Sequence, residues 1–138
     1  CLGNGLSLSL NGLNSITAIQ TESLSKVKHL HLDGVKSLTG EQIESLSNVQ
    51  HLYLNGLTIL TDGQAESLAH GRVDLLSLDG LSSLNDQQAE KFGNSSKYLT
   101  LNGLTAITDE QAQFLSMRMG TLDISLNCQL LIDKYKNQ

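Results

Sequence analysis

The chain has 138 residues, a formal net charge of −5, no Pro and few aromatics. That length suits one domain, 1–138. The acidic balance argues against a protein that grips a phosphate backbone, which carries a basic patch, and no apolar run reaches the roughly 18 residues of a membrane span.

The first residue is Cys1, not Met, and no signal peptide is visible. A processed chain, a trimmed chain or a fragment is therefore expected. After Leu2 and Leu6 the first strand pattern opens at Leu8, and the pattern returns at Leu30, Leu52, Leu76, Leu99 and Leu122, at spacings of 22, 22, 24, 23 and 23 residues. Unit one reads Leu8-Ser9-Leu10-Asn11-Gly12-Leu13, and unit three repeats it as Leu52-Tyr53-Leu54-Asn55-Gly56-Leu57. Alternation predicts half-buried strands, with Leu30 and Leu32 inward and His29 and His31 outward. The Asn/Asp-Gly step then predicts a turn, on the expectation that both residue types accept left-handed backbone.

A helix start follows each of the first five turns. Thr17 precedes Gln20, Thr39 precedes Gln42, Thr61 precedes Gln64, Asn85 precedes Gln88, and Thr108 precedes Gln111. Each pair has the spacing of a capping box. Asp62, Asp86 and Asp109 sit where the positive helix end favours them. Apolar residues at i, i+3 face inward: Ile43 with Leu46, Ala65 with Leu68, Ala89 with Phe92, Ala112 with Leu115. The sixth unit departs. Leu122-Asp123-Ile124-Ser125-Leu126 keeps the alternation without the Gly, and the apolar run from Leu130 to Tyr135 stands where the helix belongs.

A period in the twenties is that of a solenoid, whose units bury their apolar faces on one another. The residues from about Leu6 to Leu131 resemble the leucine-rich repeat family, in period, in the L-x-L core and in strand-then-helix order. The likeness is to bacterial repeats of the form L-x-L-x-G-L-x-x-L-(T/S)-x-x-x-A-x-x-L. One departure is clear: where the common family pattern has Asn, three residues past the last strand Leu, this chain has Leu13, Val35, Leu57, Leu81 and Leu104. The resemblance implies an α/β fold of about six repeats, with a parallel concave sheet and short helices on the convex side. It further implies a protein-interaction scaffold that reads its partner with the concave sheet, and no activity.

Alternation places three rows on that sheet face. The first includes His29, His51, Leu75 and Tyr98, the second His31, Tyr53 and Ser77, and the third Asn11, Asp33, Asn55, Asp79 and Asn102. His29, His31, His51, Tyr53, Tyr98, Asp33 and Asp79 form the candidate binding face. Adjacent strands lie ~4.8 Å apart, so three imidazoles would be close enough to offer Zn²⁺ a site. The alternative is an ordinary polar binding face, and no metal is assigned. The alternating Asn and Asp of the third row read either as turn chemistry alone or as a ladder in which Asn amides donate to the next Asp. Glu22, Glu44, Glu66 and Glu90 read as a solvated helix face. No Ser-His-Asp set, phosphate loop or catalytic carboxylate pair stands out, so neither an enzyme nor a cofactor is expected.

The two ends are the other candidates. Cys1, Leu2 and Leu6 begin the chain almost inside a standard repeat. Leu122, Ile124 and Leu126 continue the strand pattern, and Cys128 and Leu130 follow. Solenoids ordinarily carry polar end caps, and the sequence leads us to expect neither end to be well capped. Cys1 and Cys128 lie too far apart to bridge within one chain, while a bridge between chains is geometrically natural. Free thiols, or a lipid-modified Cys1, are the alternatives. The expectation is a non-catalytic structural subunit, exported to the cell surface or beyond, that stacks head to tail through its uncapped ends into a filament or larger assembly. The alternative is a protein-binding module that uses the concave face, in one form a piece of a longer receptor or adhesin.

Overall fold

The structure is a computed structural model and describes residues 7–95, 98–118 and 120–136. Strands and helices alternate throughout. They run β1 (Ser7–Ser9), α1 (Ala18–Leu24), β2 (His29–His31), α2 (Gly40–Leu46), β3 (His51–Tyr53), α3 (Asp62–His70), β4 (Leu75–Ser77), α4 (Asp86–Gly93), β5 (Tyr98–Leu101), α5 (Asp109–Ser116), β6 (Leu122–Ile124) and α6 (Leu126–Lys136). The six strands form one parallel sheet in sequence order. Its register sets the repeat positions side by side: Leu8 on Leu30, Leu30 on Leu52, Leu52 on Leu76, Leu76 on Leu99 and Leu99 on Leu122. Each helix packs on the helix of the next unit, and each strand on the next strand.

The core is the inward side of that sheet. Leu30, Leu32, Leu52, Leu54, Leu76 and Leu78 are fully buried, together with helix residues Ile43, Leu46, Ala65, Leu68, Ala89, Phe92, Ala112 and Leu115. Helices therefore lie on one side and the outward rows on the other. All five capping boxes form, with the Thr or Asn oxygen accepting from the Gln amide and the Gln side chain accepting from the cap's own N–H.

Those Gln residues also reach backwards. The Nε2 of Gln42 donates to the Ile16 carbonyl (2.5 Å), Gln64 to Leu38 (2.6 Å), Gln88 to Leu60, and Gln111 to Leu84 (2.8 Å). Each target is the residue just before the previous unit's cap. One side chain thus closes its own helix start and satisfies a carbonyl of its neighbour, which would otherwise be buried without a donor.

The glycines after Asn or Asp work differently from the sequence expectation. None of Gly12, Gly34, Gly56, Gly80 and Gly103 has left-handed backbone. They are small because the units touch there: a Cβ on Gly34 would lie 2.2 Å from the Asn11 oxygen, on Gly56 2.1 Å from that of Asp33, on Gly80 2.1 Å from that of Asn55, and on Gly103 1.9 Å from that of Asp79. At Gly12 a Cβ would meet nothing within 4 Å.

The sixth unit corrects another expectation. Leu126 does not continue the strand; it is the first residue of α6. With no Gly and no capping box, the chain turns from strand to helix within two residues. The Ser125 hydroxyl donates to the Leu104 carbonyl (2.7 Å) and its own carbonyl starts the helix by accepting from Gln129 (2.9 Å). The resulting helix packs on α5 and buries Cys128 and Ile132.

Candidate functional site

The outward rows of the sheet bring together the rings expected there. Register pairs His29 with His51 and His31 with Tyr53. The His29 and His51 rings meet edge to face, with centroids 4.2 Å apart and an angle of 83° between planes. The His31 and Tyr53 rings stack flat, 4.0 Å apart and 4° from parallel. All four are half-buried. The first row continues across β4 and β5 as Leu75 and Tyr98, and Tyr98 is 41% exposed. The face is thus a band of rings and one leucine across four strands, on a parallel sheet whose register holds the Cα atoms in place.

The imidazoles do not converge as metal ligands. His31 lies flat on Tyr53, and among the described residues no three His, Cys, Asp or Glu side chains could hold an ion. The electrostatics centre on His51. Burial and the adjacent His29 hold its pKa below the ordinary 6.5; Asp74 opposes this and Lys28 adds to it.

Asp33 and Asp79 are occupied by the fold. The Asp33 N–H donates to Asn11 Oδ1 (2.9 Å), Asn55 N–H to Asp33 Oδ1 (3.0 Å), Asp79 N–H to Asn55 Oδ1 (2.8 Å) and Asn102 N–H to Asp79 Oδ1 (2.8 Å). A ladder exists, but it runs from side-chain oxygen to backbone amide. This corrects both readings of the third row, since it is neither side chain to side chain nor turn chemistry alone. Asn55 Oδ1 also accepts from Ser77, whose oxygen accepts from Thr100. Ser77, expected outward, is 4% exposed beneath this network.

No family model, curated protein or solved structure matches this chain. Its own geometry is therefore the whole basis for reading the site.

At the ends, Cys1, Leu2 and Leu6 lie outside the described residues. Of the other end residues, Leu126 and Leu130 are 72% and 60% exposed, and Leu122 is half-buried. Ile124 and Cys128 are buried, at 7% and 1%. The Cys128 thiol is free and turned inward, with its sulfur 3.9 Å from the Leu104 carbonyl. A bridge to another chain would require α6 to lift away, which corrects the expectation of a ready interchain disulfide. On the outer side of the first unit, Leu10, Leu13, Ile16, Ile19 and Leu24 line an apolar hollow of about 230 Å³. Ile19 there is 78% exposed. No helix of the described residues is long and apolar enough to cross a membrane.

The residues that sequence reasoning missed are the second roles of the Gln series and Arg118. Five helices in a row use Gln at a position where Glu caps equally well, and that uniformity was the available signal. Arg118 is 8% exposed, donates to the Phe92 carbonyl, and has its pKa lowered to about 10 by burial. It ties the end of α4 to the turn that follows α5 and is structural.

Proposed function

We propose that this chain is a solenoid of leucine-rich-repeat type that binds a protein partner through its exposed sheet face and does no chemistry. The observation that supports this best is the ring band. His29, His51, Leu75, Tyr98, His31 and Tyr53 are adjacent and outward on a rigid support, with no Asp, Glu, Lys or Arg among them. Aromatic residues with few charges are the composition of an interface core. The capping Gln residues and the Asn and Asp of the third row are engaged within the fold, and the packing of each strand and helix on the next supports the solenoid. The Ser- and Asn-rich composition favours export to the cell surface or beyond.

The test is selection of displayed extended peptides on the full chain at neutral pH, followed by substitution. Binding is expected to weaken about tenfold or more with Tyr53→Ala or Tyr98→Ala, about 1.4 kcal/mol each. It is expected to survive Glu66→Ala on the helix side. Peptides that ignore both tyrosines and depend on the helix side would overturn the reading.

A second reading, head-to-tail association into a filament, is favoured by one pairing of surfaces. The apolar hollow lies on the first unit's outer side, and exposed Leu126 and Leu130 lie on the last helix. Sedimentation at high concentration, with and without Leu130→Glu, tests it. A monomer throughout would end that reading.

A further inference from the structure

The ring band contains two pairs that respond oppositely to added charge. Two neutral imidazoles meeting edge to face, as His29 and His51 do at 4.2 Å, attract one another through ring edge and ring face. Two imidazolium rings at that distance repel. The parallel register pairs their Cα atoms, so the backbone cannot move to relieve this; only the side chains can turn apart. His31 on Tyr53 is the contrasting pair. A charged imidazole lying flat 4.0 Å from a phenol ring gains a cation–π attraction and stays in place.

The surroundings do little to neutralise a doubly charged His29–His51 pair. From β2 and its approach, His51 faces His29 and Lys28; from the approach to β4 it faces Asp74. Asp74 is the negative neighbour of His51, and its carboxylate already accepts from Gln50 Nε2 at 3.0 Å. Leu75 and Tyr98, next along the row, offer no carboxylate to the pair. Burial and His29 both act against charge on His51.

We propose that the His29–His51 contact makes this sheet face proton-responsive: the rings pack together while neutral and part when both are charged, so a partner held at neutral pH is released on acidification. This rests on the sheet face being the binding surface. The device needs no metal and no movement of the core, because only two half-buried side chains change position.

The test is a proton NMR titration of the imidazoles in the full chain from about pH 8 to about pH 5, the range in which histidine changes charge. The His51 midpoint is expected below 6.5, and the through-space signal between the His29 and His51 rings is expected to fade as pH drops. His29→Gln should raise the His51 midpoint, with His29→Asn as the second variant, whereas His31→Gln should leave it in place. A His51 midpoint unmoved by both His29 variants, or a ring-to-ring signal that persists to the acid end, would overturn the proposal. Peptides selected on this face at neutral pH should lose about tenfold or more in affinity at about pH 5.5, and far less when His29 and His51 are both replaced by Gln. Equal retention at both pH values would also overturn it. The titration requires no partner, so it can fail while the peptide selection succeeds, and the reverse.

Discussion

Replacing Gly56 by Ala adds one methyl group where two units touch. Its carbon would stand 2.1 Å from the Asp33 carbonyl oxygen and 2.7 Å from that of Val35. Carbon and oxygen ordinarily approach no closer than ~3.3 Å. The joint must therefore open by about 1 Å, and both obstacles are backbone, which has no rotamer to change. Overpacking of this kind costs about 1–3 kcal/mol, and backbone obstacles put Gly56→Ala near the upper figure. For 138 residues, at ~2.1 cal/mol/K per residue, the unfolding entropy is ~290 cal/mol/K, so a loss of ~3 kcal/mol lowers Tm by ~10 °C. Gly12→Ala is the control. It occupies the same place in its unit, yet nothing lies within 4 Å. Its Tm should hold or rise slightly, since Ala restricts the unfolded chain by ~0.4–1 kcal/mol relative to Gly. Thermal melts followed by far-ultraviolet circular dichroism compare the two. Equal losses, or a Gly56→Ala melt within about 2 °C of the parent, would refute close packing as the reason for these glycines. The same pair bears on filaments: if copies stacked as internal units do, Gly12→Ala would weaken association while sparing the monomer.

Gln88→Glu keeps the size of a residue 6% exposed but removes the donor to the Leu60 carbonyl. It should lose about 1–3 kcal/mol at neutral pH; because a protonated Glu can donate again, denaturant melts should show part of that loss recovered in acid. His51 ties stability to pH in the opposite sense. Its folded pKa lies below 6.5, so the unfolded chain binds more protons as pH falls through that value, and stability drops. Denaturation midpoints should decline over that window in the parent and more gently in His51→Gln. Cys128, 1% exposed, should react with a thiol reagent only as fast as α6 opens; labelling at the rate of a free peptide thiol would contradict its burial.

Features that depend on one unit alone were legible in the sequence. Thr39 with Gln42 caps its helix from three residues away, Ile43 and Leu46 face inward from their spacing, and Leu30 and His31 divide between core and surface by alternation. What escaped depends on the neighbour. The Gln88 side chain has two ends, and only the one that faces its own cap has a short sequence spacing; the other reaches Leu60, 28 residues back. Gly56 looked like a turn residue because a turn and a close contact call for the same amino acid. At the ring band, the pairing of His31 with Tyr53 follows from register, whereas flat stacking there and edge contact at His29 and His51 depend on side-chain torsions that no spacing records. At the C-terminal end, the loss of one Gly and one cap hid an early helix, and with it the burial of Cys128.

Every tie between units reaches only the next unit: the Gln to the carbonyl before the neighbour's cap, the Asn or Asp oxygen to the neighbour's amide, the Gly against the neighbour's backbone. An in-frame duplication of one internal unit would therefore bring its own Gln, Asn or Asp and Gly to carbonyls and amides already in the right places. It would lengthen the sheet face by one strand, ~4.8 Å, without redesign of the core. Unit four has no outward His or Tyr, so copying that unit would extend the support without adding a ring to the band. Reach and recognition can then vary separately, the first by copy number and the second by point substitution at six outward positions.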